Sequence, residues 1–189
     1  MNATSGIRNS WSRIALRRIR ALPPAQRSPI LDAIPVETQE QVRTLGTTDF
    51  IAIEHTVRIL DATHAVLGEE AMVRFWSDAV RDSYAGGLFA QLVLRAATLG
   101  GDGTRLLKLA PQAWSLSSTH CGVVQSAELG DGEFRLFAED FPPQVVASPG
   151  FASMFMGAIQ AMLEVTRTKG EVSQVPAQRG LAFRVRVIG

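Results

Sequence analysis

Val123-Val124-Gln125-Ser126-Ala127-Glu128-Leu129, Gly130-Asp131-Gly132 and Phe134-Arg135-Leu136-Phe137-Ala138-Glu139 form the run whose reading decides the fold. Two stretches rich in β-branched and aromatic residues flank a short glycine-rich turn, which predicts an antiparallel hairpin with a loop of three residues. Phe141-Pro142-Pro143 ends the second strand, because proline has no N–H for a ladder and fixes its own φ. Downstream, Gly150 to Val165 is apolar and long enough for a helix. The chain then returns through Glu171–Val175 and Leu181–Ile188. In the last of these, Leu181, Phe183, Val185 and Val187 alternate with Ala182, Arg184, Arg186 and Ile188, the period of a strand with one buried and one wet face.

Upstream the chain reads as helical. Ser10 is placed to cap a short helix ending at Pro23-Pro24, Ser28-Pro29 opens another, and Val36 to Leu45 makes a third before Gly46. The firmest helical signal follows, with Thr48 or Asp49 as its cap. Phe50, Ile53, Val57, Leu60, His64 and Leu67 recur at spacings of 3, 4, 3, 4 and 3, which places all six on one face. Glu69-Glu70 begin the next helix, with Met72, Phe75, Trp76, Ala79 and Val80 facing inward. Gly86-Gly87 break it, Leu88 to Leu99 continues as helix, and Gly100-Gly101-Asp102-Gly103 is a turn. The expected fold class is α+β, a helical N-terminal layer packed on a four-stranded antiparallel sheet whose order of elements is hairpin, helix, hairpin. One domain spans 1–189, divided into a helical extension (1–46), a helical layer (47–105) and the sheet-and-helix unit (106–189). Residues 1–9 read as loose, and the segment before Pro23 as dispensable for folding.

Composition bounds the function. A hydrophobic share of 46% against 20% charged residues belongs to a folded domain, not a disordered chain. Cys121 is the one cysteine, so neither a disulfide framework nor a cysteine-based zinc cage is available. No apolar run approaches the roughly 20 residues that span a bilayer, and no signal segment precedes the first arginines. A cytoplasmic protein that is not transmembrane is the expectation. The net charge of +1 argues against a polyanion partner for the whole chain, although Arg8, Arg13, Arg17, Arg18, Arg20 and Arg27 all precede the first acid, Asp32.

Pro111-Gln112-Ala113-Trp114, Gly122 before a strand, Phe141-Pro142-Pro143, Gly157, Glu164 and Gly170 together carry a family resemblance. Over roughly residues 45–189 the chain resembles a myxobacterial family of uncharacterised paralogues. That family is similar in layout to the group holding haem-nitric-oxide-binding domains, vinyl-4-reductase domains and subunits of the TRAPP vesicle-tethering complex. The resemblance implies a helical layer followed by a hairpin, a helix and a second hairpin. Its members bind haem, small apolar ligands, acyl chains or proteins, so it implies a fold more narrowly than a function. It also implies, for haem binders, a histidine on the helix before the sheet and a Tyr-x-Ser-x-Arg motif. Here Tyr84 is followed by Ala85-Gly86-Gly87-Leu88, and no histidine lies between Leu88 and Thr119. No cofactor is expected.

His64 has Asp61 three residues before it, a pairing that can orient a ligand or a switch, yet one His–Asp pair is too few ligands for zinc. His120-Cys121 are neighbours expected on opposite faces of a strand, so the imidazole does not activate the thiol. Gly100-Gly101-Asp102-Gly103 lacks the Lys-Ser/Thr of a phosphate loop. The candidate pocket is aromatic: His64, Phe75, Trp76, Phe89, Trp114 and Phe155 would converge between helices and sheet. The reading that follows is a non-enzymatic sensor or adaptor domain that binds a small apolar ligand, or a protein partner or second copy. The alternatives are a nucleic-acid or anionic-membrane binder using the N-terminal arginines, and an enzyme acting on a small molecule in the same cavity. No catalytic or metal-binding set is named.

Overall fold

The elements follow the chain in this order: β1 (Gly6–Arg8), α1 (Asn9–Ala21), α2 (Pro24–Ala33), α3 (Val36–Thr44), β2 (Phe50–Ala52), α4 (Ile53–Leu67) and α5 (Glu69–Tyr84). After these come α6 (Gly103–Lys108), α7 (Ala110–Ser117), β3 (Ser118–Thr119), β4 (Val123–Gly130) and β5 (Glu133–Glu139). The last are α8 (Pro143–Val146), α9 (Pro149–Val165), β6 (Lys169–Val175) and β7 (Leu181–Ile188). The computed structural model describes residues 4–84 and 103–188. The expected kink at Gly86-Gly87, the helix from Leu88 and most of the following turn lie outside the described residues.

The fold is α+β. A four-stranded antiparallel sheet has the order β4-β5-β7-β6, so the two hairpins meet along β5 and β7. Leu136 faces Phe183 and Phe134 faces Val185 across that seam, which puts the apolar set of each strand on the face toward the helices. The first hairpin closes through two residues, not three. Asp131 (φ 49°) and Gly132 (φ 74°) are both left-handed, the conformation a type I′ turn needs, and the register slips between Glu128 and Gly130.

Helix α9 lies between this sheet and the helical layer. Ser148 caps it: its hydroxyl accepts from the Phe151 N–H (2.9 Å) and donates to Asp61 Oδ1 (2.6 Å), which also accepts from the Gly150 N–H at 3.1 Å. A carboxylate of α4 thereby fixes the start of α9. The two helices approach so closely there that a Cβ on Gly150 would collide with the Leu60 carbonyl group and come within 2.7 Å of the Asp61 backbone nitrogen. Against α5, a Cβ on Gly157 would meet the Val73 carbonyl oxygen and the Trp76 Cβ, each at 2.6 Å.

The structure departs from expectation at the N-terminus. Residues 6–8 are not loose but form the middle strand of a second sheet, ordered β2-β1-β3. Phe50–Ala52 belongs to this sheet, so α4 starts at Ile53 with no side-chain cap, and the Ile53 N–H bonds to the Ser5 carbonyl at 3.0 Å. Asp49 instead accepts from the Gly46 N–H. Ile7, Ala15, Leu16 and Ile19 are buried in the common core. Buried Asn9 donates to the Val42 and Leu45 carbonyls at 3.0 and 2.9 Å, satisfying the C-terminal end of α3, and Ser12 pairs with Thr56 at 2.9 Å. Residues before Pro23 are therefore structural, and the expectation that they are dispensable is reversed.

Gly157 offers a test whose sign is informative. In a free helix, alanine in place of glycine stabilises by about 0.5–1 kcal/mol. Here the added methyl meets backbone, and overpacking costs about 1–3 kcal/mol. Urea unfolding of Gly157→Ala is expected to show a net loss of stability; a gain would mean that α5 and α9 separate without cost.

Candidate functional site

Two aromatic groups flank α9. On the side of the helical layer, Trp76 is fully buried, with Trp11 at 5.9 Å and Phe75 at 6.0 Å between ring centroids. Toward α7 and the sheet, Trp114 stacks on Phe141 at 5.0 Å and meets Phe155 at 5.3 Å, and Phe155 stacks on Phe183 at 5.5 Å. The Trp114 indole N–H reaches the Gly122 carbonyl at 3.3 Å, which holds the ring against the entry to β4. Gly122 (φ +69°) is tight against the Phe141 ring, so the chain turns here with no room for a side chain.

Beside the second group is a cavity of about 70 Å³. Trp114, Phe155, Phe183, Met154, Met162 and Ala158 contribute to its wall, together with Val80 of α5 and Leu136 of β5. Among the described residues that line it, no side chain is charged, and Ser117 carries the one hydroxyl. That hydroxyl donates to the Ala113 carbonyl (2.7 Å), within its own helix. The wall therefore presents carbon, thioether and aromatic faces. It suits a neutral apolar molecule and opposes an ion, whose desolvation nothing there would offset. About 150 Å³ is enough to hold a benzene in an apolar protein cavity. A space about half that size takes a molecule of a few heavy atoms.

Trp114 and Phe155, of the candidates drawn from sequence, line this cavity. Phe75 and Trp76 belong to the other aromatic group, with the Arg18 guanidinium 5.5 Å from the Phe75 ring centroid. Phe89 lies outside the described residues. His64 is half-buried near the end of α4, and Asp61 is committed to the start of α9. Sequence reasoning missed Met154, Ala158 and Met162, which share one face of α9 at helical spacing. It also missed His55, the buried histidine, whose Nδ1 pairs with Thr38 Oγ1 at 2.9 Å. Among the described residues no cluster of three or more His, Cys, Asp or Glu could hold a metal.

His120 and Cys121 are separated by a bend, not by strand alternation. His120 (φ 49°) is exposed, while Cys121 is buried. Burial pushes the thiol up to about 12 from an ordinary 9.0. The thiol is therefore a core group.

Neither a family model nor a curated protein matches the chain's sequence. Solved structures do match its fold. An unliganded Fe(II) H-NOX protein mutant from K. algicida superposes with a TM-score of 0.68 at 6% identity, covering 97% of each chain. The fold is that of the H-NOX domains. The H-NOX protein from S. oneidensis in its Fe(II)NO state gives 0.62 at 10% identity, over 97% of this chain and 100% of that one. An oxygen-binding H-NOX domain related to soluble guanylate cyclases gives 0.58 at 11%, over 97% and 96%. Coverage this complete extends the H-NOX-like layout to the N-terminal elements.

The raised thiol pKa has a signed consequence. Unfolded Cys121 releases its proton from about pH 9 and the folded thiol only near 12, so its contribution to stability is complete below 9 and declines between those values. Native protein at pH 8 is expected to resist an aromatic disulfide reagent and to react fully in denaturant. Rapid native labelling would contradict the buried assignment.

Proposed function

We propose that this chain is an H-NOX-like sensor domain whose input is a small, neutral, apolar molecule held between α7, α9 and the sheet. The observation that carries the proposal is the uncharged cavity at Trp114, Phe155 and Met154. The fold adds support, since proteins solved with it include one in an Fe(II)NO state and one that binds oxygen. The proposal treats residues 1–189 as one domain, cytoplasmic and non-enzymatic, and related to the myxobacterial paralogues. Among the described residues no helix is long and apolar enough to cross a membrane.

The heme studied in H-NOX structures does not fit the residues present. Among the described residues, the cavity wall offers no histidine, cysteine or tyrosine. Residues 85–119 contain none either, as the sequence itself shows. Met154 and Met162 supply thioethers, which serve as haem ligands beside a histidine. Iron chemistry therefore has no anchor among the described residues of this cavity, and the proposed ligand is bound by shape and dispersion.

The N-terminal arginines do not favour a nucleic-acid reading of the whole segment. Arg8 donates from Nε to the Leu116 carbonyl (3.1 Å), and Arg13 donates to the Val42 and Arg43 carbonyls. Arg18 pairs with Asp82 (2.7 Å) and Asp78 (3.3 Å). These three are engaged within the fold.

Xenon tests the cavity without presuming the natural ligand. With methyl-labelled methionine, the Met154 and Met162 signals are expected to shift saturably under xenon, while buried Met72 serves as internal control. Ala158→Leu should fill the space and abolish the response with the thermal melt retained. No saturable shift, or one that persists in Ala158→Leu, would overturn the proposal.

A further inference from the structure

A second concavity, which shares Trp11 with the wall of the apolar cavity, lies between α1, α3 and the end of α5, with a volume of about 920 Å³. Its deeper wall is apolar: Val42 is buried, and Trp11 and Ile14 are half-buried. Its rim is cationic, formed by Arg13, Arg17, Arg20 and Arg43, all exposed. Asp82 is the one acid among the described residues of the lining, and Arg18 already holds it at 2.7 Å. Among the described residues, Arg17, Arg20 and Arg43 have no carboxylate within 4.0 Å.

The arrangement of the cations is informative. Arg13, Arg17 and Arg20 stand at i, i+4 and i+7 on α1, a line about 10 Å long with roughly one helical turn between charges. A single headgroup calls for arginines gathered at one point, whereas these three are spaced about a helical turn apart along α1. A linear polyanion would match the line but has no use for Trp11, Ile14 and Val42 beneath it. An amphipathic helix with acidic residues at helical spacing beside an apolar stripe satisfies both features. The geometry points to this groove as the docking site for an acidic amphipathic helix of a partner protein. The site would be the output surface of a domain whose input is the apolar cavity, and it stands whether or not that cavity is filled. Its affinity depends on salt, because the exposed guanidinium groups act by screened attraction.

The test uses the full chain and a synthetic peptide of about 15 residues, with glutamates at i, i+4 and i+7 and leucines on the adjoining face. The control is a reordered isomer of the same composition without the helical period. Binding is read by fluorescence polarisation. The periodic peptide is expected to bind at least about tenfold more tightly than its isomer. Arg17→Glu with Arg20→Glu should weaken it by at least a further factor of about ten. The melt should be unchanged, since neither side chain contacts a described acid, and Arg17→Gln with Arg20→Gln should give an intermediate loss. Equal affinity for the two peptides would overturn the proposal, as would indifference to the charge reversals. Stronger arginine-dependent binding of single-stranded DNA, or of mixed phosphatidylcholine and phosphatidylserine vesicles, would overturn it in favour of that partner.

Discussion

Gly157 of α9 lies against the backbone of α5, and Gly150 of the same helix lies against the backbone of α4. The rest of the structure depends on this double crossing. A helix that approaches two neighbours at backbone distance has its rotation and depth set by sterics, not by adaptable side chains. Asp61 secures the same contact electrostatically, receiving both the Ser148 hydroxyl and the Gly150 N–H. At the other end Glu164 accepts from Ser77 (2.9 Å) and Arg81 (3.2 Å), tying the end of α9 to α5. Exposed ion pairs contribute only about 0–1 kcal/mol each, so these bonds specify register more than they stabilise.

Once α9 is placed, the cavity follows. Its far face must meet the sheet through Phe155, Phe183 and Leu136, while α7 brings Trp114 alongside. Rigid rings do not fill such a space completely, and Ala158 leaves the gap. An apolar void this size stays dry and accepts an apolar guest, since water there would lose its hydrogen bonds. The same layout serves Fe(II) H-NOX proteins, but among the described residues this chain has no imidazole at the wall. The fold supplies a place between layers; the side chains decide what enters it.

The C-terminal unit was legible because its signals are long. Seven- and eight-residue strands show their period, and the proline pair and glycine-rich turn mark their ends. Gly6–Arg8, Phe50–Ala52 and Ser118–Thr119 are too short to show alternation, and their pairing is set by distant segments. That is also why Phe50 read as the first residue of a helical stripe. His55 escaped notice because it lies off that stripe, facing Thr38 of α3, a contact that only tertiary packing creates. The aromatic residues were visible by composition. Sorting Trp114 and Phe155 from Phe75 and Trp76 requires the depth of α9 between two layers, which no local pattern carries. The residues behind the family resemblance have physical roles here: Gly122, Gly157 and Gly170 are close approaches, and Glu164 is a tie between helices.

The fold is that of the H-NOX domains, and we propose that its cavity takes a small neutral guest in place of an iron cofactor. Native mass spectrometry of the purified full chain, recorded with its absorption spectrum before and after incubation with haem, addresses it most directly. The expected result is the mass of the chain alone, or with a small neutral adduct, and no stoichiometric Soret band after incubation. A one-to-one porphyrin adduct with a Soret band that disappears on replacing a single histidine would contradict it.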